Sequence, residues 1–239
     1  LYLNSFGEIF YYFEFKLGAV GTIVTILAVL GAINAFNMVD GIDGLAGMLS
    51  VVSFSSLACL YYGTGSSWFI LLTVFIAAIL GYLVFNLRWP VSKVDKVFMG
   101  DAGSMLIGLT IVWALVIGVD SRRELFNPVT ALYIIAIPLM DMISIMIRRV
   151  KKGQSPFLPD RDHLHHIFLR AGLSRKQTLI SISLLATVIA VFGLFGETYN
   201  IEEWKMFSIF VVLFIVYNFA LQNIWKILAW YRNKVVKRQ

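Results

Sequence analysis

Seven nearly unbroken apolar runs dominate the chain, near residues 17–36, 45–62, 68–87, 103–119, 128–147, 177–196 and 206–224. Each is about as long as the roughly 20 helical residues needed to cross a hydrocarbon core. Inside lipid every backbone N–H and C=O must find its partner within the protein, which restricts spanning structures to helices and closed barrels. The runs are continuous and lack the period-2 alternation of barrel strands, so they predict helices. With 59% hydrophobic and 14% charged residues and a mean hydropathy of +0.80, the composition departs from the soluble range, where about a quarter of residues are charged. The predicted fold is all-α: a polytopic integral membrane helical bundle of about seven transmembrane helices, forming a single membrane domain over 1–239.

Lysine and arginine orient such spans, because they accumulate in short cytoplasmic loops. Sixteen of the twenty fall in 88–102, in 148–176 and in the tail from Lys226 onward. The alternate segments hold only Lys16, Arg122, Arg123 and Lys205, beside Glu8, Glu14, Asp120, Glu124, Glu197, Glu202 and Glu203. This asymmetry predicts an amino end outside, a carboxyl end in the cytoplasm, and cytoplasmic loops at 37–44, 88–102 and 148–176. Trp225, Trp230 and Tyr231 suit an interfacial belt ahead of the basic tail. The net charge of +6 then reflects topology and contact with anionic lipid, and nothing in it calls for nucleic acid. Cys59, alone and within a span, forms no internal disulfide and reads as inert packing. The first residue is leucine and no cleavable signal is visible, so the sequence reads as part of a longer chain.

Three polar patches interrupt this apolar background, and the orientation puts all of them on one face. In Asn34-Ala35-Phe36-Asn37-Met38-Val39-Asp40-Gly41-Ile42-Asp43-Gly44, polar groups recur every three residues at the inner end of the first span. On a helix such neighbours share a face, and Gly41 and Gly44 then release the chain into a loop. Two carboxylates and two carboxamides there suit a hard cation, a phosphate with its metal, or a hydroxyl needing orientation. The alternative is a polar helix terminus with an Asp-Gly turn.

The second patch, Lys96-Val97-Phe98-Met99-Gly100-Asp101-Ala102-Gly103-Ser104, leads into the fourth span. A helix start offers exposed N–H groups and the positive dipole end. Asp101 fits either a helix cap or a metal ligand, and Lys96 either a phosphate contact or an ordinary positive-inside residue. The third patch holds all three histidines of the chain in Asp160-Arg161-Asp162-His163-Leu164-His165-His166. Clustered imidazoles can ligate zinc or, beside a fixed Arg161 charge, grip the phosphates of a nucleotide sugar. The hard oxygens elsewhere in the patches favour the second reading. Asp141 stands apart inside an apolar run three residues past Pro138, where a carboxylate is costly and functional by default; it suits a support role beneath the site or part of an ion path. Asn86 is a weaker instance.

Taken jointly, Asn34–Gly44, Lys96–Ser104 and Asp160–His166 resemble, in order and spacing, three signatures of the polyprenyl-phosphate N-acetylhexosamine-1-phosphate transferases (glycosyltransferase family 4 type), and the resemblance runs over essentially the whole chain. The Arg161-Asp162-His163-Leu164-His165-His166 run is more like the N-acetylglucosamine branch than the muramoyl-pentapeptide branch. The resemblance implies transfer of N-acetylglucosamine 1-phosphate from UDP-N-acetylglucosamine to undecaprenyl phosphate with release of UMP. Such a step opens lipid-linked cell-surface polysaccharide synthesis, of enterobacterial common antigen and O-antigen type, at the cytoplasmic face of the bacterial inner membrane. It further implies a magnesium cofactor, with manganese as substitute, and leaves a homodimer open. By similarity Asp101 is the metal ligand, Asp40 and Asp43 are the acidic residues nearest the reaction, and Asn34, Asn37, Lys96, Arg161, His163, His165 and His166 position substrate. The family also carries an adjacent aspartate pair in an earlier cytoplasmic loop. No Asp-Asp occurs in this sequence, which the resemblance explains if further helices precede it. Two rivals remain at this level: a relative using another donor, such as UDP-N-acetylmuramoyl-pentapeptide, and a membrane transporter, although transporters tend to bind near the midplane between repeats.

Overall fold

The fifth apolar run does not form one helix, and the reason is a single residue. Pro138 lacks an N–H and its ring crowds the carbonyl four residues earlier, that of Ile134. The chain accordingly breaks into α5 (Pro128–Ile134) and α6 (Ala136–Lys151), bent by 83° at Ile135. Ser53 Oγ, from a neighbouring helix, donates to the orphaned Ile134 carbonyl at 2.9 Å. An unsatisfied carbonyl in an apolar interior costs several kcal/mol, so the serine makes the break tolerable. The expected span 128–147 is thus corrected to a broken pair.

The computed structural model describes residues 2–11, 13–90, 93, 95–120, 125–156 and 163–236, with side chains up to 223. Its remaining helices are α1 (Gly21–Met38), α2 (Leu45–Tyr61), α3 (Ser67–Leu87), α4 (Gly100–Gly118), α7 (Leu164–Arg170), α8 (Arg175–Thr198) and α9 (Glu203–Val236). Among the described residues five helices, α1, α3, α4, α8 and α9, are long and apolar enough to cross a membrane, and the broken pair, counted as one span, makes six. The segment 45–62 is a 17-residue apolar helix, α2, buried against its neighbours. The protein is therefore an all-helical polytopic membrane bundle, with five or six spans in place of about seven. The residues Trp225, Trp230 and Tyr231 lie where side chains are outside the described set, as do Arg122, Arg123 and Glu124.

Close packing depends on small residues, as expected where lipid removes the hydrophobic drive between helices. α1 lies against α4, and a Cβ at Gly108 would come within 2.8 Å of the Ile33 Cα. α8 meets α5 through Gly193, whose Cβ would overlap Tyr133 at 2.3 Å. Buried hydroxyls spend their hydrogens on carbonyls of other helices: Tyr61 on Ala114 and Tyr133 on Met206, both at 2.7 Å. Cys59 faces outward from α2, so its expected packing role is corrected to an exposed position on the bundle. An apolar groove of about 520 Å³ runs between α1, α4 and the α5–α6 break.

The helix directions bring the carboxyl end of α1, the amino ends of α2, α4 and α8, and the carboxyl end of α6 to one end of the bundle, together with α7. The described residues of all three polar patches gather there. The residues 2–20 and the α8–α9 turn occupy the opposite end.

Candidate active site

α1 stops at Met38, before the first aspartate. Asn34 and Asn37 are thus helical, but Asp40 and Asp43 lie in the turn between α1 and α2, which corrects the expectation of one helix face through all four. Gly44 enters α2 with φ +78°, a left-handed conformation that costs glycine little. Asn34 is solvent-exposed and its Nδ2 donates back to Leu30 O at 2.7 Å. Asn37 Oδ1 accepts from Ser104 Oγ at 2.8 Å. That bond ties the end of α1 to the first turn of α4, beside the close crossing at Gly108. It fixes the carboxamide so that its NH2 remains to donate elsewhere.

Asp101 is the second residue of α4, exposed, and no side chain caps this helix. The cap alternative therefore fails, and the carboxylate stands in the positive field of the helix start. It faces Asp40: the Asp40 carboxyl is pushed above the usual carboxylate range, first by partial desolvation and then by the charges of Asp101 and Asp43. Among the described residues Asp43 pairs with Lys96, whose Nζ lies 2.7 Å from Oδ1 and 4.6 Å from the centre of the Phe98 ring. Neither Asp40 nor Asp101 forms an ion pair among the described residues.

The histidine patch enters from the other side. α7 carries His165 and His166, and His163 precedes it. His163 and His165 are buried, at 7% and 2% exposure, and their rings are parallel to within 6° at 5.7 Å. His166 tilts against His165 at 4.2 Å. His165 fits against the α1–α2 turn so tightly that a Cβ at Gly41 would fall 2.1 Å from its Nε2. Glycine at 41 thus serves a protein contact: it lets the aspartate turn and the histidine helix touch. Burial, then the neighbouring His166 and His163, push the His165 imidazole down to about 4, against the opposing pull of Asp141, so it is neutral near pH 7.

Asp141 is the residue whose role sequence left open, and the structure places it under α7. It is 2% exposed. Its Oδ2 lies 2.9 Å from His163 Nδ1, and its Oδ1 accepts from Leu164 N at 3.0 Å and from the Tyr217 hydroxyl at 3.1 Å. The break at Pro138 aims α6 so that this carboxylate reaches the start of α7. Tyr217 and Ser104 were not singled out as site residues in the sequence. Nothing in a run of apolar residues marks Tyr217, whereas Ser104 sits inside the second patch. Asn86 donates to Val97 O at 2.8 Å and so holds the loop before α4. Arg161 lies outside the described residues.

Among the described residues, no three acidic, histidine or cysteine side chains converge closely enough to hold a metal ion by themselves. Magnesium is commonly held by one or two carboxylates, with substrate phosphates and water completing its shell. Asp101 with Asp40 fits that pattern, because the Asp101 charge bears on the Asp40 carboxyl and neither has a cationic partner among the described residues. Aspartates, a helix amino end and buried histidines thus meet at one end of a membrane bundle, a set of groups chemically suited to a cation and anionic oxygens.

The comparisons narrow that class. The sequence model of glycosyl transferase family 4 matches residues 1–119. The chain is 47% identical over 237 residues to an undecaprenyl-phosphate alpha-N-acetylglucosaminyl 1-phosphate transferase of Haemophilus influenzae, an alignment covering 98% of this chain and 66% of the relative. Proteins of the same name from Yersinia pestis and Escherichia coli K12 are 48% and 46% identical over 229 and 241 residues, covering 95% and 100% of this chain and 62% and 65% of theirs. The chain belongs to glycosyl transferase family 4. It spans just under two thirds of the length of these curated relatives.

Proposed function

We propose that the protein to which this chain belongs transfers N-acetylglucosamine 1-phosphate from UDP-N-acetylglucosamine to undecaprenyl phosphate and releases UMP. The observation that carries this reading is the meeting of the Asp40–Asp43 turn, Asp101 and the histidine helix at one end of a membrane bundle, through the Gly41–His165 and Asn37–Ser104 contacts. Names of the matched relatives support the acceptor and the sugar. The site would open to the cytoplasm at the inner membrane, where a lipid phosphate and a soluble nucleotide can meet.

Two anionic substrates repel, so the work of such a site is neutralisation and alignment of the phosphates. Asp101, with Asp40 beside it, would hold magnesium, or manganese in its place, and the metal supplies charge neutralisation of the donor diphosphate when bound. Asp43 holds Lys96 in the site, from which the ammonium can reach a phosphate as a point charge. Asn37, fixed by Ser104, offers its NH2 to a substrate oxygen. His165, neutral, and His166 are donors or acceptors to the nucleotide sugar, and Arg161 adds a fixed positive charge.

The test is direct. Full-length protein in detergent or vesicles, given UDP-N-acetylglucosamine and undecaprenyl phosphate, should release UMP in a magnesium-dependent manner and form a lipid-linked sugar diphosphate. No UMP, or equal use of UDP-N-acetylmuramoyl-pentapeptide, would overturn the reading. The accompanying topology has its own check. A cysteine placed near Gln154 should resist an impermeant thiol reagent until cells are opened.

A further inference from the structure

We propose that Asp141 is a positioning residue that fixes the tautomer of His163, so that Nδ1 carries the proton and a bare Nε2 is presented to the site. The proposal rests on the reading that the histidine patch serves phosphosugar transfer.

Three groups from two other elements converge on this one buried carboxylate. Leu164 N, at the start of α7, can only donate, and it points at Oδ1 from 3.0 Å. The Tyr217 hydroxyl of α9 donates to the same oxygen from 3.1 Å. Oδ1 is therefore fully engaged as an acceptor, which leaves Oδ2 to face His163 Nδ1 at 2.9 Å. With two donors already on Oδ1, Asp141 serves as the acceptor here as well and Nδ1 as the donor. Neutral imidazole has one N–H, and placing it on Nδ1 strips Nε2 of its proton. A carboxylate that sets the tautomer and ring orientation of a working histidine from behind is a recurring device in enzyme sites.

The geometry carries the effect further than one ring. His163 lies parallel to His165, and His165 abuts Gly41 in the turn that bears Asp40 and Asp43. Asp141 also satisfies the first N–H of α7, one of the donors a helix start leaves unpaired. One carboxylate thus sets where α7 begins, how His163 is turned, and the register of His165 on the aspartate turn. Lodging it deep in an apolar run is costly, and a bundle needing only a cap for a seven-residue helix could use a neutral side chain.

The substitution Asp141→Asn separates positioning from mere support. Leu164 N still requires an oxygen, so the amide oxygen must take the Oδ1 place and its NH2 must face His163. Nδ1 then has to accept, and the proton moves to Nε2. The variant keeps the shape and inverts the tautomer. Tyr217→Phe is the companion, since it removes one donor and leaves carboxylate and tautomer alone.

In the full-length protein labelled with ¹⁵N-histidine, the His163 resonances would be assigned by their loss in His163→Gln. Wild type and Tyr217→Phe should show a protonated Nδ1 and an unprotonated Nε2, and Asp141→Asn the reverse. With the inversion, kcat for UMP release should fall by about tenfold to a hundredfold, the range for losing an orienting partner. The KM for undecaprenyl phosphate should stay near wild type, and Tyr217→Phe should retain at least about a third of kcat. An unchanged tautomer in Asp141→Asn overturns the proposal, as does an inverted tautomer with wild-type kinetics. So does a Tyr217→Phe defect equal to that of Asp141→Asn without any change of tautomer. If wild type releases no UMP, the functional reading falls, and the nitrogen spectra still decide whether Asp141 sets the tautomer.

Discussion

Both ends of the bundle hold carboxylates, but they treat them differently. At the end opposite the motifs, Glu197 accepts from Asn127 N at 3.1 Å and from the Thr130 hydroxyl, and Glu203 accepts from Glu8 N at 2.7 Å. These glutamates tie the α4–α5 connection and the amino-terminal segment to α8 and α9. The protein's own donors consume them. At the motif end Asp40 and Asp101 have no such donors among the described residues and oppose each other, with Asp43 adding to the repulsion. Like charges also face Glu203, from Glu8, Glu197 and Glu14, but there a backbone donor offsets them; under the proposed function the unmatched repulsion at Asp40 would be relieved by a bound cation and its phosphate. Asp141 belongs with the consumed group, except that two of its three partners, His163 and Leu164, lie at the start of the histidine helix. The lesson is that a carboxylate's partners, more than its exposure, separate scaffold from site.

The largest effect should come from removing the charge that the protein leaves unmatched. Asp101→Asn in the full-length protein should lower UMP release by about a hundredfold or more, the scale seen when one preorganised electrostatic group is lost from a site. Its expression and thermal midpoint should stay near wild type. Asp40→Asn should lose activity similarly while its midpoint, measured without divalent cation, is unchanged or slightly raised, because a repulsive charge is gone. Glu197→Gln should do the opposite, lowering the midpoint and leaving the turnover of folded protein intact. Full activity in Asp101→Asn, or a collapse of the Asp40→Asn fold, would erase the distinction between the two ends.

The broken span offers the next test, since the motif end depends on the direction of α6. Ser53→Ala leaves the Ile134 carbonyl without its donor, at a cost of about 1–3 kcal/mol for an unsatisfied buried group. The thermal midpoint should drop accordingly, with kcat of the surviving folded protein little changed. A Ser53→Ala variant as stable as wild type would mean that the break is maintained by packing alone.

Much of this was legible in sequence because apolar length and loop chemistry are local properties. Runs of about 20 apolar residues predict helices whatever lies next to them, and the glycine-flanked aspartates and clustered histidines announce themselves. The break at Ile135 was also written locally, in Pro138, yet a proline can kink, break or be absorbed, and the deciding bond comes from Ser53, 81 residues away. The spacing of Asn34, Asn37, Asp40 and Asp43 suggested one helix face. The helix in fact ends at Met38, before the two aspartates. Tyr217 was invisible because a tyrosine in an apolar run has many uses, and only the fold brings its hydroxyl to Asp141. Whether Asp101 was a cap could not be settled without the geometry of the α4 start.

Acid provides a test of the buried histidine. His165 is held down at about 4 in the folded protein, against about 6.5 unfolded. The folded state therefore binds fewer protons than the unfolded state in this window. Stability contributed by the neutral imidazole is fully present above about pH 6.5 and is lost progressively as pH falls toward 4. The loss is on the order of 3 kcal/mol at most, by about 1.4 kcal/mol per unit. The midpoint of wild type should fall over that range, and that of His165→Gln should fall less. Parallel curves for the two proteins would remove His165 as the group being protonated.

The smallest stability effect is expected at Lys96, and it sharpens the comparison at its boundary. Lys96 pairs with Asp43, but both side chains are partly exposed, at 23% and 34%, and such pairs contribute about 0–1 kcal/mol. If the pair were scaffold, like Glu197 and Thr130, then Lys96→Met would move only the midpoint. If Lys96 is held by Asp43 for use on a phosphate, Lys96→Met should shift the midpoint hardly at all and raise the KM for UDP-N-acetylglucosamine by about tenfold, the loss of one charge-assisted contact of about 1.5 kcal/mol. The KM for undecaprenyl phosphate is the internal control. A rise confined to the lipid would place Lys96 on the acceptor side, and no change in either would return it to the ordinary basic residues of the loop.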